Sequence, residues 1–401
     1  MLNIFIVAYV LYTAVSLWTA LKQIEFVKLR KTLQPSILNE KDFEKAGDYT
    51  IASQKTAIYA TIFDMFVFVF WISFGLVWLD NITADFQSWQ KAILFVDGFI
   101  IFNWIISLPF SLYSTFILDK KYGFSNITVE LYLKDTIKSS VLFLVFGSLV
   151  IGIMAWIIDS FDLWWIYGFV FIFGVIILIN MLYPIIRDKM FDKFETLKDK
   201  ELETKINNLL SKVGFKSSGV FSVDASKRDS RLNAYFGGLG STKRVVLFDT
   251  LIEKLNHDEL LAVLGHELGH FKNGDIIKNI AIMGVVMFVF FAIFGNIGQA
   301  LFDDMQLTKN PSTLIAVFMI WTPVLSFFLM PVISYISRHN EYNADKFGSD
   351  LSSNKNLVSA LLKLVNENRS FPFSHPLYIF FYYSHPPLSS RLERLGYKEE
   401  L

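Results

Sequence analysis

The chain has 401 residues, no cysteine, and 37 basic against 37 acidic residues, so its formal net charge is zero. Balanced charge excludes a global electrostatic argument for nucleic acid, and the missing cysteine excludes disulfides, thiolate metal sites and cysteine nucleophiles. Hydrophobic residues make up 53% of the chain against 18% charged, which is typical of a polytopic membrane protein.

Seven apolar segments are each long enough to cross the roughly 30 Å hydrocarbon layer of a membrane. The first starts at the N-terminus without the basic region and cleavage site of a signal peptide, so it is predicted to be a retained span. The short connection between the fourth and fifth segments predicts a tight hairpin. The predicted spans are 2–21, 57–79, 92–117, 139–158, 163–184, 276–301 and 313–337.

Lysine and arginine alternate between the two sides of these spans. Of the 37 basic residues, only Lys91 and Lys309 belong to one side, and the other 35 belong to the opposite side. The positive-inside rule therefore predicts an outside N-terminus and a cytosolic C-terminus. The polar stretches 185–275 and 338–401 then share the cytosolic face and can form one domain.

Several polar residues lie inside predicted spans, among them Asp64, Asp97 and Asn103. A carboxylate in lipid is unfavourable unless it pairs, snorkels towards a span end, or faces a wet cavity. Two interpretations remain open: local pairing near a span end, and a water-filled interior between the helices.

Residues 256–275 contain HELGH and predict a helix that begins at Asn256, a good N-cap residue. His266 and His270 lie one helical turn apart, so both rings can bind one ion, while Glu267 can reach a water on that ion. This is the His-Glu-x-x-His pattern of zinc metalloproteases, in which the carboxylate is the general base. The alternative is a chance spacing of two histidines on a structural helix.

A catalytic zinc ion needs a third protein ligand and one open position. After the seventh span, Glu341 and Asp345 lie four residues apart on a predicted helix. Glu341 would complete the ligand set, and Asp345 could accept the outer N–H of a ligand histidine. His339 is a rival ligand, but it would point elsewhere on a helix. The alternative is a solvated, charged helix face.

A strand-like periodicity appears after residue 231. Residues 243–252 predict a buried strand, and residues 233–236 predict an edge strand joined to it by a glycine-rich turn. An edge strand beside a zinc site can bind a peptide in extended form, although an ordinary hairpin is the alternative. The candidate substrate-binding residues on it are Asn233, Ala234 and Tyr235.

Residues 382–397 contain a histidine, two prolines and a predicted helix. His385 could donate a hydrogen bond to the oxyanion of a tetrahedral intermediate, or it could cap the local structure. Arg391 could bind a substrate carboxylate or form an internal salt bridge.

Four stretches together resemble the type I CAAX prenyl proteases, which are integral-membrane zinc endopeptidases with seven spans. The stretches are RLNAYFGG with KRVVLFDTLI, HELGH, SRHNEYNAD and SHPPLSSRLERL. The resemblance implies that one zinc ion per chain is bound by His266, His270 and Glu341. It further implies that Glu267 is the base and that His385 helps to stabilise the transition state.

The same resemblance implies that Asn233 and Ala234 lie on the substrate-binding strand and that Asp345 supports a ligand histidine. The implied fold is an all-α polytopic membrane protein whose seven helices enclose an aqueous chamber. Its cytosolic domain is a mostly helical zincin of the gluzincin type with a small β-sheet. The predicted division is 1–187 (five spans), 188–275 (first catalytic part), 276–337 (two spans) and 338–401 (second catalytic part).

The predicted activity is hydrolysis of peptide bonds by a zinc-bound water that Glu267 activates. The predicted substrate is a peptide or protein, with or without a C-terminal prenyl group, in contact with membrane lipid. A composition rich in Phe, Ile and Lys favours a bacterial source, and hence an inner membrane. Two alternatives stay open: a quality-control zinc protease for non-prenylated proteins, and a non-catalytic transporter or scaffold with a structural metal site.

Overall fold

A computed structural model of the chain describes residues 1–237 and 243–397. Within them, seven helices are long and apolar enough to cross a membrane, which confirms the predicted number of spans. Between 6% and 39% of the residues in their apolar windows are buried inside the protein. Most residues in these windows are therefore not buried by protein, as expected for helices that lipid surrounds.

The helices of the described residues carry the labels α1 to α14, and the spans are α1 to α5, α9 and α11. Their bounds are α1 (Leu2–Lys31), α2 (Glu40–Ile82), α3 (Ser88–Tyr122), α4 (Val129–Ser160), α5 (Trp164–Met190), α6 (Lys200–Lys212), α7 (Asp249–Lys254), α8 (His257–Lys272), α9 (Asp275–Gly295), α10 (Gln299–Asp304), α11 (Pro311–Leu351), α12 (Asn354–Glu367), α13 (Pro376–Tyr382) and α14 (Leu388–Arg394).

The seventh span is the first part of a much longer helix. α11 has 41 residues, a length of about 60 Å, which is roughly twice the thickness of the hydrocarbon layer. A capping box at Asn310 and a proline in the first turn set its start. Glu341 and Asp345 therefore lie on a continuous extension of a membrane span, and the predicted boundary between residues 337 and 338 lies inside this helix.

Four short strands form one sheet in the order β1-β2-β4-β3. β4 pairs in parallel with β2 and antiparallel with β3, and its residues are mostly buried, as predicted. Among the described residues β3 lies at an edge of the sheet, which is also as predicted. The strands are β1 (Phe194–Thr196), β2 (Val220–Val223), β3 (Ala234–Gly237) and β4 (Arg244–Phe248).

Two other features of the predicted hairpin, its turn and the end of its buried strand, are not confirmed. The glycine-rich turn falls on residues 238–242, which lie outside the described residues. The prediction that the buried strand continues to residue 252 is wrong, because β4 ends at Phe248 and α7 begins at Asp249. The carboxylate of Asp249 accepts a hydrogen bond from the backbone N–H of Thr250, and an acidic residue in the first turn favours a helix.

Helices α8 and α11 pack with their backbones in contact. A Cβ atom on Gly348 would lie 2.6 Å from the backbone nitrogen of His266, and one on Gly269 would lie 2.8 Å from Cα of Ala344. Only glycine permits so close an approach. A glycine inside a helix costs about 1 kcal/mol relative to alanine, and here it lets the histidines of α8 reach the carboxylates of α11.

The N-terminal cap predicted at Asn256 is present. The Asn256 side chain and the Glu259 side chain each accept the backbone N–H of the other residue, forming a capping box. The Glu259 carboxylate also accepts hydrogen bonds from Ser359 and Lys363 of α12, both at 2.7 Å. The start of the histidine-bearing helix is thus attached to a third helix.

The polar residues inside the spans fall into two groups. Asp97 is buried and accepts a hydrogen bond from Ser148 of α4 at 2.7 Å. Asn103 accepts one from the indole N–H of Trp71 at 3.1 Å. Both residues thus have a hydrogen-bond partner on a side chain of the protein, although Oδ1 of Asp97 is buried without one. The side chain of Asp64, in contrast, is exposed on α2.

Candidate metal centre

Two helices bring three potential metal ligands together. His266 and His270 lie one turn apart on α8, with ring centroids 4.9 Å apart, and Glu341 reaches them from α11. Glu341 Oε1 lies 3.2 Å from Nε2 of His270, and Oε2 lies 3.6 Å from Nε2 of His266. One ligand atom from each residue lies within 4.8 Å of the others, so one cation can contact all three.

The environment of these residues favours a cation. Oε2 of Glu341 is buried and has no hydrogen-bond partner within the described chain, and such an atom is strongly unfavourable unless an ion or proton satisfies it. Burial alone lowers the pKa of His270, but hydrogen bonds to the Glu341 and Asp275 carboxylates outweigh burial and raise it to about 9. The two neighbouring carboxylates therefore stabilise positive charge on His270.

Two carboxylates orient the histidine rings from behind. Oδ1 of Asp345 lies 2.8 Å from Nδ1 of His266, which is the arrangement expected from the sequence. Both oxygens of Asp345 also accept hydrogen bonds from Arg391, at 2.8 and 2.5 Å. Contacts of this kind set the tautomer of a ligand histidine and hold its ring in place.

Asp275 supports the second histidine, a role that was not predicted from the sequence. Its Oδ2 lies 3.0 Å from Nδ1 of His270, and its side chain is almost fully buried. Lys278 donates a hydrogen bond to Oδ1 of the same carboxylate at 3.1 Å. The sequence feature that could have indicated this role is an aspartate five residues after the second histidine, at the start of the next apolar helix.

Two of the candidate ligands, His266 and Glu341, line a cavity of about 590 Å³. Glu267 and His385 both line it, so a carboxylate and an imidazole face the same space as these candidate ligands. Nε2 of His385 lies 3.2 Å from Oε1 of Glu341, and its Nδ1 lies 3.0 Å from the Ser384 hydroxyl. A bound cation, a carboxylate base such as Glu267 and a hydrogen-bond donor such as His385 around one cavity can together support hydrolysis of a carbonyl compound.

The candidate substrate-binding residues do not all face this cavity. Asn233, Ala234 and Arg391 line it. The Tyr235 ring packs against Phe248 instead, on the other face of the strand, and its hydroxyl is buried. For Arg391 the structure shows an internal salt bridge with Asp345 in addition to its position on the cavity wall.

His339, the alternative candidate for the third ligand, does not point into the site. Its side chain is exposed on α11, two residues before the buried Glu341. Residues two apart on a helix face directions about 200° apart, which explains why one points into the site and the other does not.

Replacing Asp275 by asparagine is expected to lower metal affinity by about 10- to 100-fold, because the second histidine loses a charged partner while side-chain size is kept. Competition with a chromophoric chelator measures the affinity directly. Asp258→Asn, which alters an exposed carboxylate at the other end of α8, is the matched control. An affinity for Asp275→Asn within twofold of the control would contradict this role.

Comparison with known proteins places two profiles on the chain. A profile described as peptidase family M48 matches residues 196–399, and one described as CAAX prenyl protease N-terminal, five membrane helices, matches residues 23–193. CAAX prenyl protease 1 from Saccharomyces cerevisiae is 33% identical over 94% of this chain and 91% of its own length. The CAAX prenyl protease 1 homolog from Homo sapiens is 34% identical over 74% of this chain and 71% of its own length.

A solved structure is similar over nearly the whole chain. The crystal structure of S. mikatae Ste24p superimposes with a TM-score of 0.91 at 30% sequence identity, covering 98% of this chain and 99% of that one. The match extends through the spans, the small sheet and the helices that carry the candidate ligands. These relatives are eukaryotic and give no support for the bacterial source that the composition favours.

Proposed function

This chain belongs to peptidase family M48 and is a membrane metallopeptidase of the CAAX prenyl protease 1 type, and we propose that its metal is one zinc ion held by His266, His270 and Glu341. The observation that carries the proposal is the convergence of one ligand atom from each of these three side chains within 4.8 Å, beside a cavity that His266 and Glu341 line. Glu267, on the same wall, is the proposed general base.

The donor set fits zinc. Two imidazole nitrogens and one carboxylate oxygen form the ligand set of many catalytic zinc sites, which keep a fourth position open. The partnerless Oε2 of Glu341 is the atom that such an ion would satisfy. When bound there, zinc supplies Lewis acidity, which lowers the pKa of water and polarises a carbonyl oxygen.

Glu267 is the group that moves protons. It follows His266 directly on α8 and lines the cavity beside the ligand set. Its carboxylate accepts the proton of the attacking water and returns it to the nitrogen of the departing amine, the work of a general base that becomes a general acid. Hydrolysis then leaves a new carboxylate on one product and an amine on the other.

His385 is the proposed donor to the oxyanion. Its side chain is about two-thirds exposed, and its Nε2 lies beside Glu341, so the ring borders the position where a peptide carbonyl would meet the ligand set. A donor aimed at the developing negative charge stabilises the transition state more than the substrate. Asp345 and Arg391 act behind His266 by holding its ring.

The edge strand β3 is the proposed binding site for the peptide backbone. The backbone N–H of Phe248 donates to the carbonyl of Asn233, so Asn233 is hydrogen-bonded to β4. Hydrogen-bonded and non-hydrogen-bonded residue pairs alternate along two antiparallel strands. The next residue, Ala234, therefore directs its N–H and C=O away from β4. Ala234 also lines the cavity, so we expect an extended substrate there to pair with these backbone groups.

We propose that the substrates are proteins with a prenylated C-terminus and that lipid surrounds the seven spans. The relatives are CAAX prenyl proteases by name, which supports this substrate class. The distribution of lysine and arginine supports an outside N-terminus and cytosolic catalytic residues. The proposed division is 1–187 and 276–337 in the membrane part, and 188–275 with 338–401 in the catalytic part.

Matched peptides with and without a farnesyl group on the same cysteine test the substrate class. The prenylated peptide is expected to show at least a tenfold higher kcat/KM, since each buried methylene contributes about 0.8 kcal/mol and 1.4 kcal/mol is tenfold. Cleavage is followed by mass spectrometry of the zinc-loaded protein in detergent, with Glu267→Gln as the background. Equal cleavage of both peptides would instead favour a quality-control role on non-prenylated proteins.

A further inference from the structure

A second cavity of about 340 Å³ adjoins the catalytic one. Asn368, Ser370, Phe371 and Tyr383 line both cavities, so the two spaces share a wall. Arg369 lines only the second cavity. Nothing in the proposed chemistry of the metal centre uses this space or this guanidinium.

Arg369 carries a charge that the described protein does not neutralise. Its Nη1 is buried without a hydrogen-bond partner, and its guanidinium stacks over the Phe124 ring at 5.5 Å. Among the described residues, no carboxylate forms an ion pair with it. Arg231, by contrast, lies over the same ring but pairs with Asp229 at 2.8 Å. Arg369 is partly buried on the wall of the second cavity, and a guanidinium without a carboxylate partner in such a place favours an anionic ligand.

The backbone at Arg369 is held in an unusual conformation. Its φ is +45°, in the left-handed region that residues other than glycine rarely adopt. Asn368, the preceding residue, accepts a hydrogen bond from the N–H of Leu232 at 2.7 Å and donates one to its carbonyl at 3.3 Å. This double contact connects Arg369 to the chain just before the edge strand, so its position relative to Asn233 and Ala234 is set.

The direction of the edge strand decides which end of a substrate would reach Arg369. Leu232 lies before β3, at the end where that strand starts. A peptide that pairs antiparallel with β3 runs the opposite way, so its C-terminal end points towards Leu232, Asn368 and Arg369. The chemical group that ends a peptide there is a carboxylate, which matches the fork of a guanidinium.

We propose that Arg369 binds the C-terminal carboxylate of the substrate and so sets how far from the chain end the protein cuts. This inference rests on the proposed function and deepens it, because it adds recognition of a free chain end to the recognition of the peptide backbone. Arg369 is thus a specificity residue. It touches the end of the substrate and not the reacting bond.

The test compares three peptides of one sequence, ending in a free carboxylate, in a carboxamide, or in two added residues. The zinc-loaded wild-type protein is expected to prefer the carboxylate peptide over the carboxamide by about tenfold in kcat/KM, mainly through KM, because one charge-assisted contact is lost. In Arg369→Gln the preference should fall to less than about twofold, with the carboxamide peptide cut as in wild type. Arg369→Lys, which keeps the charge but not the fork, should be intermediate.

Arg394→Gln is the matched control, since this exposed arginine stacks on Tyr342 outside both cavities and should keep the full preference. Unaltered cutting of the carboxamide peptide by Arg369→Gln shows that the variant is folded. The proposal is wrong if wild type cuts the carboxylate and carboxamide peptides alike, or if the preference survives in Arg369→Gln. Arg369 then does not bind the C-terminal carboxylate, but the metallopeptidase assignment stands. If wild type cuts none of the peptides, the proposed function fails and this inference with it.

Discussion

Replacing Glu267 with glutamine is expected to reduce peptide hydrolysis by about 10²- to 10⁴-fold while bound zinc stays at one per chain. The amide has the size of the carboxylate but cannot accept the proton of the attacking water, and a general base contributes that range of rate. His266, His270 and Glu341 are unchanged, so the metal remains. Hydrolysis of a fluorogenic peptide and zinc content by atomic absorption are measured on the same sample.

Glu253→Gln supplies the control for this substitution. Glu253 is exposed on α7, and the same change of charge there should leave both activity and zinc content as in wild type. Full activity in Glu267→Gln would show that another group acts as the base. Loss of zinc in Glu267→Gln would show that this carboxylate is a ligand, and the ligand set would need to be reassigned.

Replacing Glu341 with glutamine is expected to lower zinc affinity by more than about 100-fold and to reduce hydrolysis to background. The reason is that carboxylates outside the ligand set already contribute about 10- to 100-fold to affinity, and a ligand contributes more. Glu341 is also the one proposed ligand from α11, so without its charge the two histidines would share an ion with no third protein donor. Zinc competition with a chelator and peptide hydrolysis measure the two effects.

His339→Ala is the control on the same helix. This exposed imidazole lies two residues before Glu341, and its removal is expected to leave zinc affinity and hydrolysis within twofold of wild type. If His339→Ala loses zinc while Glu341→Gln retains it, the third ligand has been assigned to the wrong residue. Thermal unfolding of both variants in detergent separates loss of metal from loss of fold.

Features encoded by neighbouring residues could be predicted from the sequence. Hydropathy over about twenty residues identifies a span whatever its neighbours are, and seven spans were expected and are present. The spacing of His266 and His270 places both rings on one helical face. The cap at Asn256 and the strands around Ala234 follow from equally local patterns, although the strand period could not show that β4 stops at Phe248.

The tertiary structure decided the relations between distant parts of the chain. The sequence alone determined the class of protein, the number of spans, the histidine pair and the carboxylate expected to join it. It did not determine that Asp275 lies behind His270, or that Asn368 binds the backbone of Leu232, 136 residues away. The physical reason is that periodicity and hydropathy act over one or two turns of backbone, whereas these contacts depend on how helices pack. The close approach through Gly269 and Gly348 is of that kind: each glycine is visible in the sequence, but only the folded chain shows what it touches.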